Sequence, residues 1–429
     1  MTISTLLTVL AVFAWLSLAV WIFLLLGRGQ FWRMNIRLPL PHADRAGADL
    51  AQDEPNGGWP SVAAVIPARD EAAILPSTLP TLLAQDYPGP LHIIVVDDAS
   101  SDGTGDLARQ LAADAATTTE PADGRTVTVL RTDGPPPGWA GKVAAMARGA
   151  QAAGECRYLL FTDSDIAHPP DSVRQLVRRA EAAQLDLTSL MARLNTDSPA
   201  ERALVPAFVF SFFQLYPPAW SNRPRARTAA AAGGCMLVRR EALDRAGGLA
   251  EIGSARIDDV ALGTLLKRRG GTGKDGTGGR TWLGTTESVR SLRPYPRLAD
   301  LWDMIARSAY TQLRYSPWLL AGTVLGLVVI YAVPPVLGVA ALVTALLGGL
   351  THAMAMRALW AVAVPCLAAW AVMSACYLPV LRLYRLRSWR APLLPGVMAI
   401  YLAMTVDSAR RHHQGKGGSW KGRLIEQQD

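Results

Sequence analysis

The chain has 429 residues, of which 50% are apolar and only 18% charged, with a formal net charge of +8 and a positive mean hydropathy. That balance is too apolar for an ordinary water-soluble enzyme and directs attention to membrane segments. The excess Lys and Arg form no long tract interleaved with aromatics, so no nucleic-acid partner is expected; basic residues beside apolar spans read as orientation signals and contacts to anionic lipid.

In chain order, Leu6 to Gly27 run without a charge and are long enough to cross a bilayer. A cleaved signal peptide would need a basic start and a shorter apolar stretch, so this segment reads as a retained anchor. Arg28, Arg33 and Arg37 follow directly, which places the next domain in the cytoplasm by the positive-inside tendency.

From Ser61 to about Thr286 short apolar runs alternate with helical stretches. Val62–Ile66, Leu91–Val96, Thr126–Arg131 and Arg157–Thr162 read as buried strands. Glu71–Ala84, Thr104–Ala113 and Lys142–Ala153 read as helices between them. Such alternation predicts an α/β domain with a mostly parallel sheet covered on both faces. Ligands of such sheets sit beyond the carboxyl ends of the strands, and here three strand ends carry acids. The first ends in Pro67-Ala68-Arg69-Asp70-Glu71, the second in Asp97-Asp98 through Asp102-Gly103-Thr104, and the fourth in Asp163-Ser164-Asp165. Any one alone is an ordinary solvated turn or helix cap, as Asp102-Gly103-Thr104 looks to be. Three at successive strand ends point to a shared site.

Asp163 and Asp165, two residues apart, are placed to bind one hard cation, Mg2+ or Mn2+, which takes one or two carboxylates and completes its shell with phosphate oxygens. His168 nearby, just before Pro169-Pro170, reads as structural. Asp258-Asp259 opens a helical pattern through Lys267. Acids there commonly answer the helix dipole; the functional reading makes Asp259 a general base supported by Asp258. Gly270 to Gly279 lacks the spacing of a phosphate-cradling loop and reads as an insertion before a strand at Thr281–Leu283.

Beyond the domain, Leu298–Ile305 has apolar residues at helical spacing, and Trp302, Tyr310, Tyr315 and Trp318 are placed like amphipathic rings at a lipid interface. Apolar spans follow at Pro317–Leu350, interrupted by Pro334-Pro335, and at Ala358–Val380. A fourth, Ala391–Thr405, is short for a crossing and has basic residues on both flanks (Arg382, Arg385, Arg387, Arg390; Arg410, Arg411, Lys416, Lys421, Arg423), which suits a re-entrant or interfacial segment. The four cysteines (Cys156, Cys235, Cys366, Cys376) form no CxxC pair and read as small buried hydrophobes. The expected organisation is an anchor at 1–28, a linker at 29–60, a catalytic domain at 61–290, an interfacial segment at 291–316, a membrane region at 317–407 and a basic cytoplasmic tail at 408–429.

These motifs resemble, in order, those of family 2 glycosyltransferases with a GT-A fold. The chain is more narrowly similar to bacterial hopene-associated glycosyltransferases through Pro136-Pro137-Gly138-Trp139 to Lys142, Pro206-Ala207-Phe208, Ala229–Arg240 and Ser291–Ser316. The resemblance implies inverting, metal-dependent transfer from a nucleotide-sugar donor, usually a UDP-sugar, at a bacterial inner membrane. It implies that Pro67, Ala68, Arg69 and Glu71 line the nucleoside pocket, that Asp98 with Asp97 contacts the base, and that Lys142 and Ser164 lie near the nucleotide. Asp163 and Asp165 would take metal and diphosphate, and Asp259 would be the base. Membrane members often carry Gln-x-x-Arg-Trp; here Gln312-Leu313-Arg314-Tyr315 is one residue shorter and ends in Tyr, and Arg314 reads equally as a residue snorkelling at the membrane edge. A domain anchored at both ends suits a membrane lipid acceptor, which the narrower resemblance makes a hopanoid. A polyprenyl-phosphate or ceramide-type transferase, a polysaccharide synthase, and a non-catalytic nucleotide-sugar sensor are the alternatives.

Overall fold

The structure is a computed structural model describing residues 3–38, 55, 58–118, 125–272, 278–347, 353–414, 419–420 and 423–424. In chain order they form α1 (Ile3–Leu26), β1 (Val62–Ala68), α2 (Leu75–Leu83), β2 (Leu91–Asp98), α3 (Thr104–Thr118), β3 (Arg125–Thr132), α4 (Gly141–Ala152), β4 (Tyr158–Thr162) and β5 (Ile166–Ala167). Then come α5 (Ser172–Ala182), β6 (Leu187–Arg193), α6 (Pro199–Leu215), α7 (Pro218–Ser221), β7 (Cys235–Arg239), α8 (Arg240–Arg245), α9 (Asp258–Arg269) and β8 (Thr281–Ser291). The chain continues through α10 (Leu298–Ala306), α11 (Ala309–Gln312), α12 (Pro317–Leu327), α13 (Val333–Leu347), α14 (Ala353–Leu383) and α15 (Leu394–His413). Two compact units result: a helical one from Met1–Met34, Thr196–Pro217 and Tyr295–Gly417, and a mixed one from Asn35–Asn195, Pro218–Pro294 and Gly418–Asp429.

In the mixed unit, every residue of β1 and β4 is buried, as apolar strands covered on both faces must be. Successive side chains of β1 point to opposite sides: Val62, Ala64 and Ile66 pack with α2 and α5 residues such as Leu79 and Leu176, while Ala63 and Val65 pack with Val143 and Met146 of α4 and with Leu262 of α9. Gly149 lets α4 lie close on the sheet; a Cβ there would stand 2.3 Å from Val65. β3, expected as a buried strand, is the edge strand and only half-buried.

The strand order is β3-β2-β1-β4-β7-β6-β8-β5. The half named in the sequence, β3-β2-β1-β4, is wholly parallel. In the other half β7 runs antiparallel to both β4 and β6, and β8 is parallel to β6 but antiparallel to β5. The sheet is therefore mixed, its parallel character concentrated in the first half. Helix α2 begins at Leu75 rather than Glu71; Asp70, Glu71 and Ala72 direct their N–H groups across to the segment after β2, to Ser100 Oγ (3.0 Å), Thr104 Oγ1 (2.8 Å) and Asp102 Oδ2 (3.0 Å).

Among the described residues, the helical unit contains four helices long and apolar enough to cross a membrane: Thr5–Leu26, Pro317–Leu347, Met356–Leu383 and Ser388–His413. The last corrects the expectation of a short segment. A 3-10 turn at Ser388–Leu393 and α15 run on as one piece, taking Arg390, Arg410 and Arg411 of the basic flanks into it. Pro334-Pro335 does not interrupt the second. Proline at 334 has no N–H for the carbonyl of Ile330, a π-turn spans Val328–Ala332, and the indole of Trp21 donates to that carbonyl instead, at 2.8 Å. Large apolar side chains stay exposed on these helices, including Trp318 at 85% and Leu347 at 81%, a surface suited to lipid.

Tyr310, expected at the lipid interface, is a core ring; its N–H donates to Ser408 Oγ (3.0 Å) and its hydroxyl to Tyr315 O (2.8 Å). Trp302 donates its indole N–H to Asp407 (2.8 Å). All four cysteines are free; Cys235, Cys366 and Cys376 are buried and Cys156 only partly so. Residues 39–54 and 56–57 of the expected linker, 273–277 of the glycine-rich stretch, and Lys416 and Lys421 of the tail lie outside the described residues.

Candidate active site

The three strand-end clusters meet along one edge of the sheet because β1, β2 and β4 are parallel neighbours in register, with Ala68 opposite Asp97 and Val65 opposite Phe161. At the β1–β2 end much of the acidity is structural. Asp97 is 2% exposed; its Oδ1 accepts from Ser100 N–H at 3.0 Å and its Oδ2 would stand 2.5 Å from a Cβ on Gly105. Asp98, also buried, accepts from Thr132 Oγ1 at 3.0 Å. Arg69 donates to the carbonyls of Asp98 (2.6 Å) and Ala99 (3.3 Å). Pro67 and Ala68 are buried in β1, and Glu71 is 6% exposed. Asp102 caps α3 through Thr104 N–H (3.0 Å) after Gly103 at φ +84°, the turn and helix start its sequence suggested.

The fourth strand leads into a different environment. Antiparallel β7 sets the loop Gly233-Gly234 beside the end of β4, where Thr162 Oγ1 and Asp163 N–H donate to Gly234 O (2.9 and 3.4 Å). Gly233 N–H then donates to Asp259 Oδ2 at 3.0 Å. On the far side, the turn at Pro136–Trp139 packs on Gly253 and starts α4, with Ala140 N–H donating to Gly253 O at 2.7 Å. Lys142, in the first turn of α4, lies with its Nζ 2.8 Å from Asp163 Oδ1 and 3.0 Å from Asp258 Oδ2. One ammonium thus ties the end of β4 to the N-terminus of α9, and Asp163, Asp258 and Asp259, some 95 residues apart in sequence (258 − 163 = 95), become one cluster.

Three carboxylates around one ammonium leave excess negative charge. Burial, with Asp258 alongside, pushes the Asp259 carboxyl up to about 7, against the pull of Lys142 and of the Val260 and Gly233 N–H groups. Burial likewise raises Asp163 to about 6, with Lys142 opposing. The Lys142 ammonium is held above its ordinary range by Asp163 and Asp258 despite its burial. A carboxylate poised near neutrality is what proton abstraction at physiological pH requires.

Asp165 faces another set of partners. Its Oδ2 accepts from Ser291 Oγ (2.5 Å) and lies 3.5 Å from Arg293 Nε, and its carbonyl accepts from Leu292 N–H (2.8 Å). Ser164 is buried, its carbonyl accepting from Thr78 Oγ1 at 2.6 Å. His168 bonds through its two ring nitrogens to Thr162 Oγ1 (2.9 Å) and Ser172 Oγ (3.1 Å), and burial lowers it to about 4; it is a neutral structural ring, as read. Among the described residues no three His, Cys, Asp or Glu side chains gather into a metal cage. Each aspartate has one oxygen committed within the protein, Asp163 Oδ1 to Lys142 and Asp165 Oδ2 to Ser291, a donor set that fits a cation sharing its shell with a phosphate ligand rather than an all-protein site.

Residues 63–247 match the family model described as glycosyl transferase family 2. The match runs from β1 through α8. The mixed sheet with flanking helices is a GT-A fold. The chain resembles several solved structures at low identity. One is a mannosyltransferase from Pyrobaculum calidifontis in complex with GDP-Man and Mn2+ (18% identity, 95% of this chain and 99% of that one, TM-score 0.48). Another is glucosyl-3-phosphoglycerate synthase from Mycobacterium tuberculosis with Mn2+, UDP-glucose and phosphoglyceric acid (19%, 63% and 84%, TM-score 0.38). A third is S. aureus TarS 1-349 with UDP-GlcNAc (12%, 83% and 92%, TM-score 0.35). No curated protein matches the sequence.

Gln312 and Arg314 belong to the helical unit. Gln312 Nε2 donates to the Tyr216 hydroxyl. Arg314 and Tyr315 both take left-handed backbone (φ +51° and +55°), and the Tyr315 ring stacks on His412 at 4.3 Å. Sequence reasoning passed over Arg293, Ser291 and the Gly233 N–H. Only the position of Ser291-Leu292-Arg293 at the end of a strand could have marked the first two, and nothing in a Gly-Gly pair names its hydrogen-bond partner.

Proposed function

We propose that the glycosyltransferase moves a sugar from a nucleotide sugar, a UDP-sugar by resemblance, to a membrane lipid with inversion at the anomeric carbon, at the cytoplasmic face of a bacterial inner membrane. The observation that carries this reading is the Lys142 bridge, which places the Asp163–Asp165 loop and the Asp258-Asp259 pair at one centre. Asp259 takes the proton of the acceptor hydroxyl. That oxygen attacks the anomeric carbon from the side opposite the diphosphate, the bond from this carbon to the phosphate oxygen breaks, and the nucleoside diphosphate leaves with the electron pair. Asp258, held by Lys142, raises the basicity of Asp259, while Lys142 and the Gly233 N–H favour its charged form and hold it in place.

Asp163 and Asp165 would hold a divalent cation, Mg2+ or Mn2+, which when bound supplies Lewis-acid neutralisation of the leaving diphosphate. The β1–β2 end, with Pro67, Ala68, Arg69, Glu71, Asp97 and Asp98, serves the nucleoside; Lys142 and Ser164 lie on the diphosphate side. The four long apolar helices support a lipid acceptor, and a hopanoid follows from the narrower resemblance. Arg28, Arg33 and Arg37 directly after the first span support the cytoplasmic orientation. Gln312 and Arg314 are assigned to the acceptor end.

The reading is tested by pH. A base raised to about 7 is protonated, and inactive, below that pH. Transfer should therefore fall on an acid limb centred near pH 7, approaching tenfold per pH unit below it, and reach a plateau above. A kcat/KM profile that stays flat from about pH 5.5 to 8.5 would remove Asp259 from the base role.

A further inference from the structure

Arg293 lies just after β8 and spans two of the acidic clusters. Its Nη2 is 2.6 Å from Glu71 Oε1, beyond β1, and its Nε is 3.5 Å from Asp165 Oδ2, beyond β4. The backbone that carries it is already fastened to the Asp165 loop without the guanidinium: Ser291 pairs with Ile166 in the β5–β8 ladder, and Leu292 N–H donates to Asp165 O. The two acidic side chains are buried, Glu71 at 7% and Asp165 at 11% exposed, whereas the Arg293 side chain keeps 27% of its surface open. A permanent cation is therefore pinned between two buried acids with one side toward solvent, on the carboxylate assigned above to a divalent cation.

We propose that Arg293 is a cationic strap that competes with the divalent cation for Asp165 and is drawn off it by the diphosphate of the incoming donor. The inference rests on the assignment of Asp163 and Asp165 as metal ligands. Arginine does not deprotonate in proteins, so a dication arriving at Asp165 alone must sit beside a like charge and compete for the same carboxylate. A nucleoside diphosphate changes that balance, because its oxygens offer the guanidinium the planar, two-pronged contact that arginine makes well. Asp165 is then left to the metal. Metal and nucleotide binding are coupled through Arg293, and the coupling is reciprocal: each tightens the other by the same factor. Metal alone should bind weakly, and tight loading should need both.

The test is a Mn2+ titration, following free Mn2+ by electron paramagnetic resonance, on the full chain in detergent with and without saturating UDP, and with GDP in parallel. In the native protein either nucleotide should tighten Mn2+ by about tenfold or more. Arg293→Gln should bind Mn2+ alone about fivefold more tightly than the native protein, and its tightening by nucleotide should shrink to about twofold. Arg293→Gln with a native melting temperature, unchanged affinity for Mn2+ alone and full coupling would overturn the strap. If Arg293→Gln does not fold, Arg293→Lys decides: it keeps the charge, so Mn2+ alone stays weak, but it lacks the fork, so coupling should drop at least about threefold. Undiminished coupling in Arg293→Lys overturns the strap as well. Native protein that binds Mn2+ equally well with and without nucleotide overturns the strap alone; native protein that binds no Mn2+ in either condition removes the metal assignment itself, and the strap with it.

Discussion

Asp259→Asn is expected to lower kcat by about 10²- to 10⁴-fold, the range over which general-base catalysis operates, while the Kd for UDP stays within about threefold of native. The substitution is nearly isosteric. The amide oxygen can still accept from Gly233 N–H, as the Asp259 carboxylate does at 3.0 Å, so the loop entering β7 keeps its anchor. What is lost is the ability to take a proton, together with the acceptor that Oδ1 offers Val260 N–H at 2.7 Å. Asparagine also removes one of the negative charges around Lys142, which if anything favours an incoming diphosphate. Turnover in a single-turnover assay at native rate would exclude Asp259 as the base; loss of turnover together with loss of UDP binding would show that the side chain shapes the pocket instead.

Asp163→Ala combined with Asp165→Ala should abolish the metal-dependent part of UDP binding, a loss of at least about 100-fold in affinity at saturating Mn2+, with metal-independent binding little changed. The double variant also strips partners from the protein. Lys142 keeps Asp258 at 3.0 Å, and Arg293 keeps Glu71 at 2.6 Å, so neither cation is stranded by the change. Calorimetric titration of UDP with and without Mn2+ makes the comparison. An unchanged metal-dependent increment would exclude the pair as metal ligands, and a large drop in melting temperature would identify them as structural acids.

The parallel half of the sheet was legible because local rules decide it. Val62–Ile66, Leu91–Val96 and Tyr158–Thr162 are apolar runs of strand length with acids within the next four residues, so strand type and the edge that gathers ligands come from the same few residues. The mixed half follows no such local rule. β7 enters antiparallel between β4 and β6, and nothing in the residues Cys235–Arg239 names that direction. Asp163 and Asp259 could be named separately as candidates, but their convergence depends on Lys142 and Gly233, which lie on other elements. Arg293 was hidden for the opposite reason: it is one arginine in a stretch that also holds Arg290 and Arg297, and only the distance to two buried carboxylates distinguishes it. The same limit applies at α15, where the apolar count stops at Thr405 but the helix does not.

The central claim, that one lysine-bridged centre transfers sugar from a nucleotide sugar to a membrane lipid, is tested most directly by product analysis. Purified protein is incubated with a panel of nucleotide sugars, total membrane lipid and Mn2+, with parallel reactions containing a chelator, and the lipid extract is analysed by mass spectrometry. The expected result is a lipid species heavier by one sugar residue, formed with one donor of the panel, absent with chelator, and carrying the sugar in the anomeric configuration opposite to that of the donor. A donor consumed with its sugar recovered only in water-soluble products would contradict the lipid acceptor, and a glycolipid formed equally well with chelator would contradict the metal-dependent centre at Asp163 and Asp165.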